Sequence, residues 1–202
     1  MPKQNNSTKM RKIEYNINPL FVNRWSPRAM SGEEISYDDL MGLFEAARWA
    51  PSSYNNQPWR FIYAMRNTDH WQRLFSLLVQ GNQIWAQNAA VIVAVISRKN
   101  FEFNEKPAIT HQFDAGAAWE NLALEATTRG LVTHGMQGLD YNAAKKVLEV
   151  PDSFDVMAMI AIGKLGQKGN LPNDLQEREY PSDRKPLREI VMEGKFIERS
   201  IE

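Results

Sequence analysis

Three stretches of this chain group side chains suited to holding an anionic ligand rather than to attacking a substrate. Arg24-Trp25-Ser26-Pro27-Arg28 sets two guanidinium groups and a hydroxyl within five residues. A guanidinium offers a planar fork of donors that matches phosphate oxygens, and serine adds one more donor. Ser182-Asp183-Arg184-Lys185-Pro186 is a second basic cluster, far along the chain. Between them, Pro51-Ser52-Ser53-Tyr54-Asn55-Asn56-Gln57-Pro58-Trp59 is dense in short donor and acceptor side chains. Taken singly, each has an ordinary alternative: solvated charge for the arginine stretches, and a polar connection with turn chemistry for the third.

Several other chemistries lack their residues. There are no cysteines, which removes disulfides, thiolate nucleophiles and Cys-ligated metals. The histidines, His70, His111 and His134, are far apart in sequence. His111 and Asp114 have helical ligand spacing, yet no third ligand is identified, so no metal site is expected. No GxSxG elbow, G-x-G-x-x-G fingerprint or P-loop occurs. Lysine plus arginine (24) balances aspartate plus glutamate (24), so no overall field draws nucleic acid or a membrane surface. Six tryptophans invite stacking on bases, but without a positive groove they read as core or interface anchors. The N-terminus lacks the apolar stretch of a secretory signal, and the longest apolar run, Ala89 to Ile96, is too short to span a bilayer. A soluble, cytoplasmic protein with no nucleic-acid or membrane partner is the expectation.

The elements that must position these residues follow from pattern. The length of 202 residues fits one domain, placed at 17–202, behind a polar and basic tail at 1–16 read as mobile. Ser36 and Asp39 form a capping box ahead of Leu40, Leu43, Phe44 and Ala47 at helical spacing, and Pro51 ends that helix. Trp59 to Met65 reads as a strand. Helical segments are expected at Asp69–Val79 and Asn82–Asn88. Ala90 to Ile96 is apolar almost throughout, as in a strand covered on both faces. Asp114 to Arg129 is a long helix with a small-residue face, suited to close packing in the core or at a dimer interface, and Gly130 sits at its C-terminal cap. A shorter helix spans Tyr141–Val150, and Val156 to Gly163 is a third buried strand. The fold class is α+β: a central mixed β-sheet flanked by helices.

The order of these motifs resembles the FMN-dependent nitroreductase family. The specific element is Ala50-Pro51-Ser52-Ser53 with Asn55, Gln57, Pro58 and Trp59, about twenty residues after Arg24-Trp25-Ser26-Pro27-Arg28. Gly81-Asn82, Phe113-Asp114-Ala115-Gly116, Gly130-Leu131, Gly135-Met136-Gln137-Gly138, Ile162-Gly163 and Arg184-Lys185-Pro186-Leu187 follow in the family's order. The resemblance runs from Asn23 to Val191.

That resemblance implies a nitroreductase-like fold, an intertwined homodimer, and FMN in two equivalent sites at the subunit interface. Arg24 and Ser26 would hold the FMN phosphate, with Trp25 beside them and Arg184 closing the site from the C-terminal side. Arg28 would lie under the pyrimidine end, where positive charge stabilises the anionic reduced flavin. Pro51, Ser52, Ser53 and Asn55 would reach the flavin from the neighbouring subunit. Asn82 would pair with the pyrimidine ring, and Gln137 and Gly138 would bring a backbone amide to flavin N5. No protein group need act as nucleophile or acid, because the flavin carries the chemistry. NADH or NADPH would be the transient donor in a ping-pong cycle, and nitroaromatics, quinones or similar electron-poor molecules the acceptors. Trp85 and Ser182 stand at positions that are basic in some members. The segment Arg98–Gln112 is shorter than the acceptor-covering region of many; Phe101, Phe103 and His111 are candidates to line the pocket, with ordinary packing equally open. Two other readings share the motifs: different flavin chemistry (dehalogenation, enone reduction, flavin breakdown), and a flavin-binding module without turnover. The C-terminal GKFIERSIE is a candidate extension onto the partner.

Overall fold

A computed structural model describes residues 11–198. The first ten residues of the expected tail, and the last four of GKFIERSIE, lie outside the described residues.

Strand β2 (Val91–Arg98) is the centre of the molecule, and Val91 to Ile96 are all buried. Its side chains alternate between two cores: Ile92, Ala94 and Ile96 face one, Val91, Val93 and Val95 the other. The four strands are ordered β1 (Trp59–Met65), β2, β4 (Phe154–Lys164), β3 (Leu131–Met136). Every pairing among them is antiparallel, with a register shift between Val95 and Ile96 that leaves one extra residue on β4. The α+β class therefore stands, but the expected mixed pairing is replaced by an antiparallel sheet. An unbroken apolar strand reports helices on both faces, and that cover is compatible with either direction. Strand β3 is an addition to the three expected; its pattern Leu131, Thr133 inward on one face and Val132, His134 on the other is short and interrupted by polar side chains.

On the Val93 face lie α2 (Tyr37–Arg48) and α5 (His111–Thr128), packed through Leu40, Leu43 and Ala47 against Ala115, Ala118, Leu122 and Ala126. The small side chains let the two helices approach, and burying the leucines contributes roughly 2 kcal/mol each. Ser36 caps α2 by accepting from Asp39 N at 3.0 Å, as the capping box implied. Gly130, at φ +70°, terminates α5 in the left-handed conformation expected of it. The opposite face is covered by shorter helices: α3 (Trp71–Phe75), α4 (Gln80–Ala86) and α6 (Tyr141–Val147). The helix expected over Asp69–Val79 is confined to α3, and that over Tyr141–Val150 stops at α6. Among the described residues no helix is long and apolar enough to cross a membrane.

Gly166, just after β4, anchors the segment behind Arg28. Its N–H donates to Ala29 O at 2.8 Å, and a Cβ added there would stand 2.6 Å from the Met30 carbonyl carbon and oxygen. These are backbone atoms, so nothing flexible can give way. Gly166→Ala is expected to destabilise by about 1–3 kcal/mol. Urea unfolding reads this directly, and an unchanged midpoint would show that the Met30 segment can move aside freely.

Candidate functional site

Arg24, Trp25 and Ser26 follow the short helix α1 (Pro19–Asn23) and line a cavity of about 380 Å³ together with Arg28, His134, Arg178, Tyr180, Ser182, Arg184 and Arg11. Folding thus joins the two basic motifs, some 160 residues apart in sequence. Arg24 donates to Ser26 Oγ at 3.3 Å, which aims hydroxyl and guanidinium at the same space. Its one ion-pair partner among the described residues, Glu120 on α5, is 3.7 Å away and half exposed, a weak ion pair. Arg184 donates to Ser182 O and Oγ at 3.2 Å, so the C-terminal motif is folded on itself at the cavity's edge.

The loop's shape comes from a residue that sequence reasoning missed. Glu179 is buried, and its Oε1 accepts from both Arg28 N and Ala29 N at 2.8 Å. Its Oε2 has no hydrogen-bond partner among the described residues and lies 4.0 Å from Arg28 NH1. One carboxylate therefore fixes the backbone beneath Arg28 and holds its guanidinium nearby. Nothing in the loop Gln176–Tyr180 signals this from sequence, since the partners are about 150 residues away.

A second group of expected residues forms beside the end of β3. Asn82 on α4 donates to Gly138 O at 3.0 Å, and Val79 N donates to the same carbonyl at 3.1 Å. A Cβ at Gly138 would meet Asn82 Nδ2 at 2.7 Å and Val79 Cγ2 at 2.9 Å, so glycine is what lets this turn lie against α4. Gln137 is exposed next to it.

The third group sits elsewhere. Ser53 N donates to Asp114 Oδ2 at 3.1 Å and Gln57 N to Ser52 Oγ at 3.0 Å, pinning the loop to the start of α5. Tyr54, Asn55 and Gln57 all adopt positive φ (52°, 54° and 47°), a run of strained residues held in place by these bonds. Asp114 and Glu120 are six positions apart on α5, about 9 Å along its axis and roughly 120° around it. Pro51, Ser52, Ser53 and Asn55 therefore lie off the arginine cavity, and one chain alone does not bring them to it.

A profile of the nitroreductase family matches residues 22–164, most of the length just described. The chain belongs to the nitroreductase family. A solved structure described as an oxidoreductase containing FMN superposes with a TM-score of 0.91 at 46% identity, covering 96% of this chain and 99% of that one. A 15.4 kDa protein of Mycolicibacterium smegmatis, itself uncharacterized, is 32% identical over 124 residues, covering 61% of this chain and 82% of its own length. MhqN of Bacillus subtilis, which carries the provisional name NAD(P)H nitroreductase, is 27% identical over 195 residues, covering 80% of this chain and 90% of MhqN.

Within this nitroreductase-family fold, the donor set of the cavity fits a phosphate: guanidinium groups and a hydroxyl converge with few carboxylates among them. Trp85 does not occupy an open position toward the cavity. It is 1% exposed and packs on the His134 ring, centroids 4.6 Å apart. His111 is buried against Ser97, its Nδ1 3.1 Å from Ser97 Oγ, and Phe101 and Phe103 cluster with Tyr54 at 5.6 and 6.0 Å.

His134 is a further cavity residue not singled out beforehand. Its Nδ1 is 3.1 Å from Pro27 O; a carbonyl only accepts, so Nδ1 carries the hydrogen. Burial pushes the imidazole down to about 4, and Arg28 adds to this against the opposing Pro27 carbonyl. The folded state thus keeps His134 neutral where the unfolded chain protonates it, at the ordinary value of 6.5. Above about pH 7.5 both states are neutral and the group adds no pH dependence. As pH falls through 6.5 the unfolded state takes the proton first, and stability declines until about pH 4, by up to about 3 kcal/mol. His134→Gln should remove that part of the acid limb in denaturation curves taken between those values. An acid limb of equal depth in both proteins would assign the pH dependence to other groups.

Proposed function

We propose that this chain is an FMN-dependent, NAD(P)H-fed oxidoreductase, working in the cytoplasm as a homodimer with the flavin at the subunit interface. The observation that carries the reading is the arginine-lined cavity, built by Arg24, Ser26, Arg28 and Arg184 in a nitroreductase-family chain. When bound, FMN supplies the redox chemistry, a two-electron transfer from nicotinamide to a nitroaromatic, a quinone or a similar electron-poor acceptor, with ping-pong kinetics expected.

The chain's own residues bind, orient and tune. Arg24, Ser26 and Arg184 hold the phosphate by charge-assisted hydrogen bonds, with Trp25 walling the pocket. Arg28, fixed from behind by Glu179, sets positive charge at the pyrimidine end. Asn82 shapes the turn at Gln137 and Gly138, where the bare backbone can approach the ring. Pro51, Ser52, Ser53 and Asn55 complete the site of the other subunit, within a single flavin-binding domain. Two features support the dimer: this loop lies off its own cavity, and large apolar side chains are exposed in it and near the start of α5, namely Tyr54 (82%), Ile109 (92%) and Phe113 (80%). The C-terminal segment Gly194–Glu198 extends onto the partner in this reading, and truncation before Gly194 is expected to weaken the dimer.

The test is an anaerobic titration of the FMN-loaded protein with NADPH and with NADH, followed by visible absorption. Prompt bleaching supports the reductase reading and turns the question to acceptors. A protein that stays colourless with excess FMN overturns it, and one whose flavin stays yellow with both nucleotides retains the binding site but not the donor.

A further inference from the structure

Arg11 precedes the family's motifs, yet the fold delivers it to the same cavity. Its NH1 donates to Val22 O and Arg24 O, both at 2.6 Å, so its guanidinium is tied to the backbone of the loop that carries Arg24. Its Nε is buried and has no partner among the described residues. It stands in the wall between the arginine cavity and a neighbouring one of about 560 Å³, and Arg184 shares that wall.

The electrostatics around it are unfavourable as they stand. Burial holds the Arg11 pKa below its usual value, and repulsion from Arg184 and Arg24 lowers it further, with only Asp183 opposing. Asp183 is already engaged by Arg184 N at 3.0 Å and Lys12 N at 3.3 Å. Neither Arg11 nor Arg184 has a salt-bridge partner among the described residues. Three guanidinium groups drawn together with only the already engaged Asp183 and the distant, half-exposed Glu120 against them repel each other, and an anion in their midst reverses the sign of the interaction. A phosphate monoester carries about −1.5 to −2 at neutral pH and three strong acceptor oxygens.

We propose that Arg11 is a phosphate-binding residue of this site, acting with Arg24 and Arg184 on the terminal phosphate of the flavin. The inference rests on the FMN reading above. It makes Arg11 a determinant of specificity, since it favours FMN over riboflavin, which has the same ring and ribityl chain but no phosphate.

The experiment measures the affinity of both flavins, by quenching of flavin fluorescence, for wild type, Arg11→Gln and Arg11→Lys. Glutamine can still donate to one of the two carbonyls but carries no charge; lysine keeps the charge and loses the fork. Arg11→Gln is expected to weaken FMN binding about 10- to 100-fold and leave riboflavin within about twofold, with Arg11→Lys retaining most of the FMN affinity. Arg11→Gln that weakens both flavins equally, or neither, overturns the proposal. So does Arg11→Lys falling as far as Arg11→Gln, which would make Arg11 a strut for the loop instead of a charge for the phosphate. Wild-type protein that binds neither flavin overturns the FMN reading and this inference with it. Failure of the inference alone leaves wild-type FMN binding intact, so the two failures are distinct.

Discussion

Arg24→Ala is expected to weaken FMN binding by about 2–5 kcal/mol, roughly 30-fold or more in Kd. Arg24 is the best-buried arginine in an ion pair here, with its side chain 14% exposed, and it reaches the cavity already oriented by Ser26. In the FMN-loaded enzyme it would hold a phosphate in a partly desolvated space, where losing one partner leaves the other's charge uncompensated. The apo protein should barely notice the change. The Glu120 pair it gives up is long and half exposed, and removing the guanidinium also relieves repulsion on Arg11. Flavin fluorescence titration gives the affinity, and thermal melts with and without FMN separate binding from folding. An FMN affinity equal to wild type would take Arg24 out of the site, and an equal loss of apo stability would make it a structural residue.

Glu179→Ala acts on the other side of the same loop and should cost about 3 kcal/mol of folding stability. The truncation strands the Arg28 and Ala29 N–H groups, both of which donate to one buried oxygen. It also leaves Arg28 without the carboxylate 4.0 Å from its NH1. Glu179→Gln separates the two contributions. Its amide oxygen can still accept both backbone bonds, so most of the stability should return while the charge is lost. Denaturation midpoints of the two variants decide this: if glutamine is as damaging as alanine, the charge on Arg28 matters more than the backbone caps. If neither variant is destabilised, water replaces the carboxylate and the loop holds itself.

These two residues show where reading from sequence succeeds and where it stops. Arg24 was visible because its neighbours Ser26 and Arg28 make a recognisable spacing within five residues. Glu179 was not, because its role is defined wholly by backbone groups some 150 positions earlier. Arg11 and His134 were missed because the cavity that gives them meaning joins distant parts of the chain, Arg184 beside Arg11 and Pro27 beside His134, although the alternation of Val132, His134 and Met136 could have marked one face of a strand. That Trp85 stands at a position basic in some relatives is legible in the sequence, but only packing puts it under His134 and away from the open cavity.

By itself the sequence determined what is encoded within a few residues. The Ser36 cap, the Gly130 terminus, the apolar β2 and the small face of α5 all came through because capping bonds, left-handed turns and helical periodicity are local. The family, too, was legible, because its motifs are short and keep their order. The direction of the strands was decided only by the tertiary structure, since an apolar strand buried on both faces reads alike either way. The convergence of Arg11, Arg24 and Arg184 on one cavity, and the separation of the Ser52–Asn55 loop from it, were decided there as well. Such placements follow from the free energy of packing two cores onto one sheet, a sum over the whole chain that no local pattern contains.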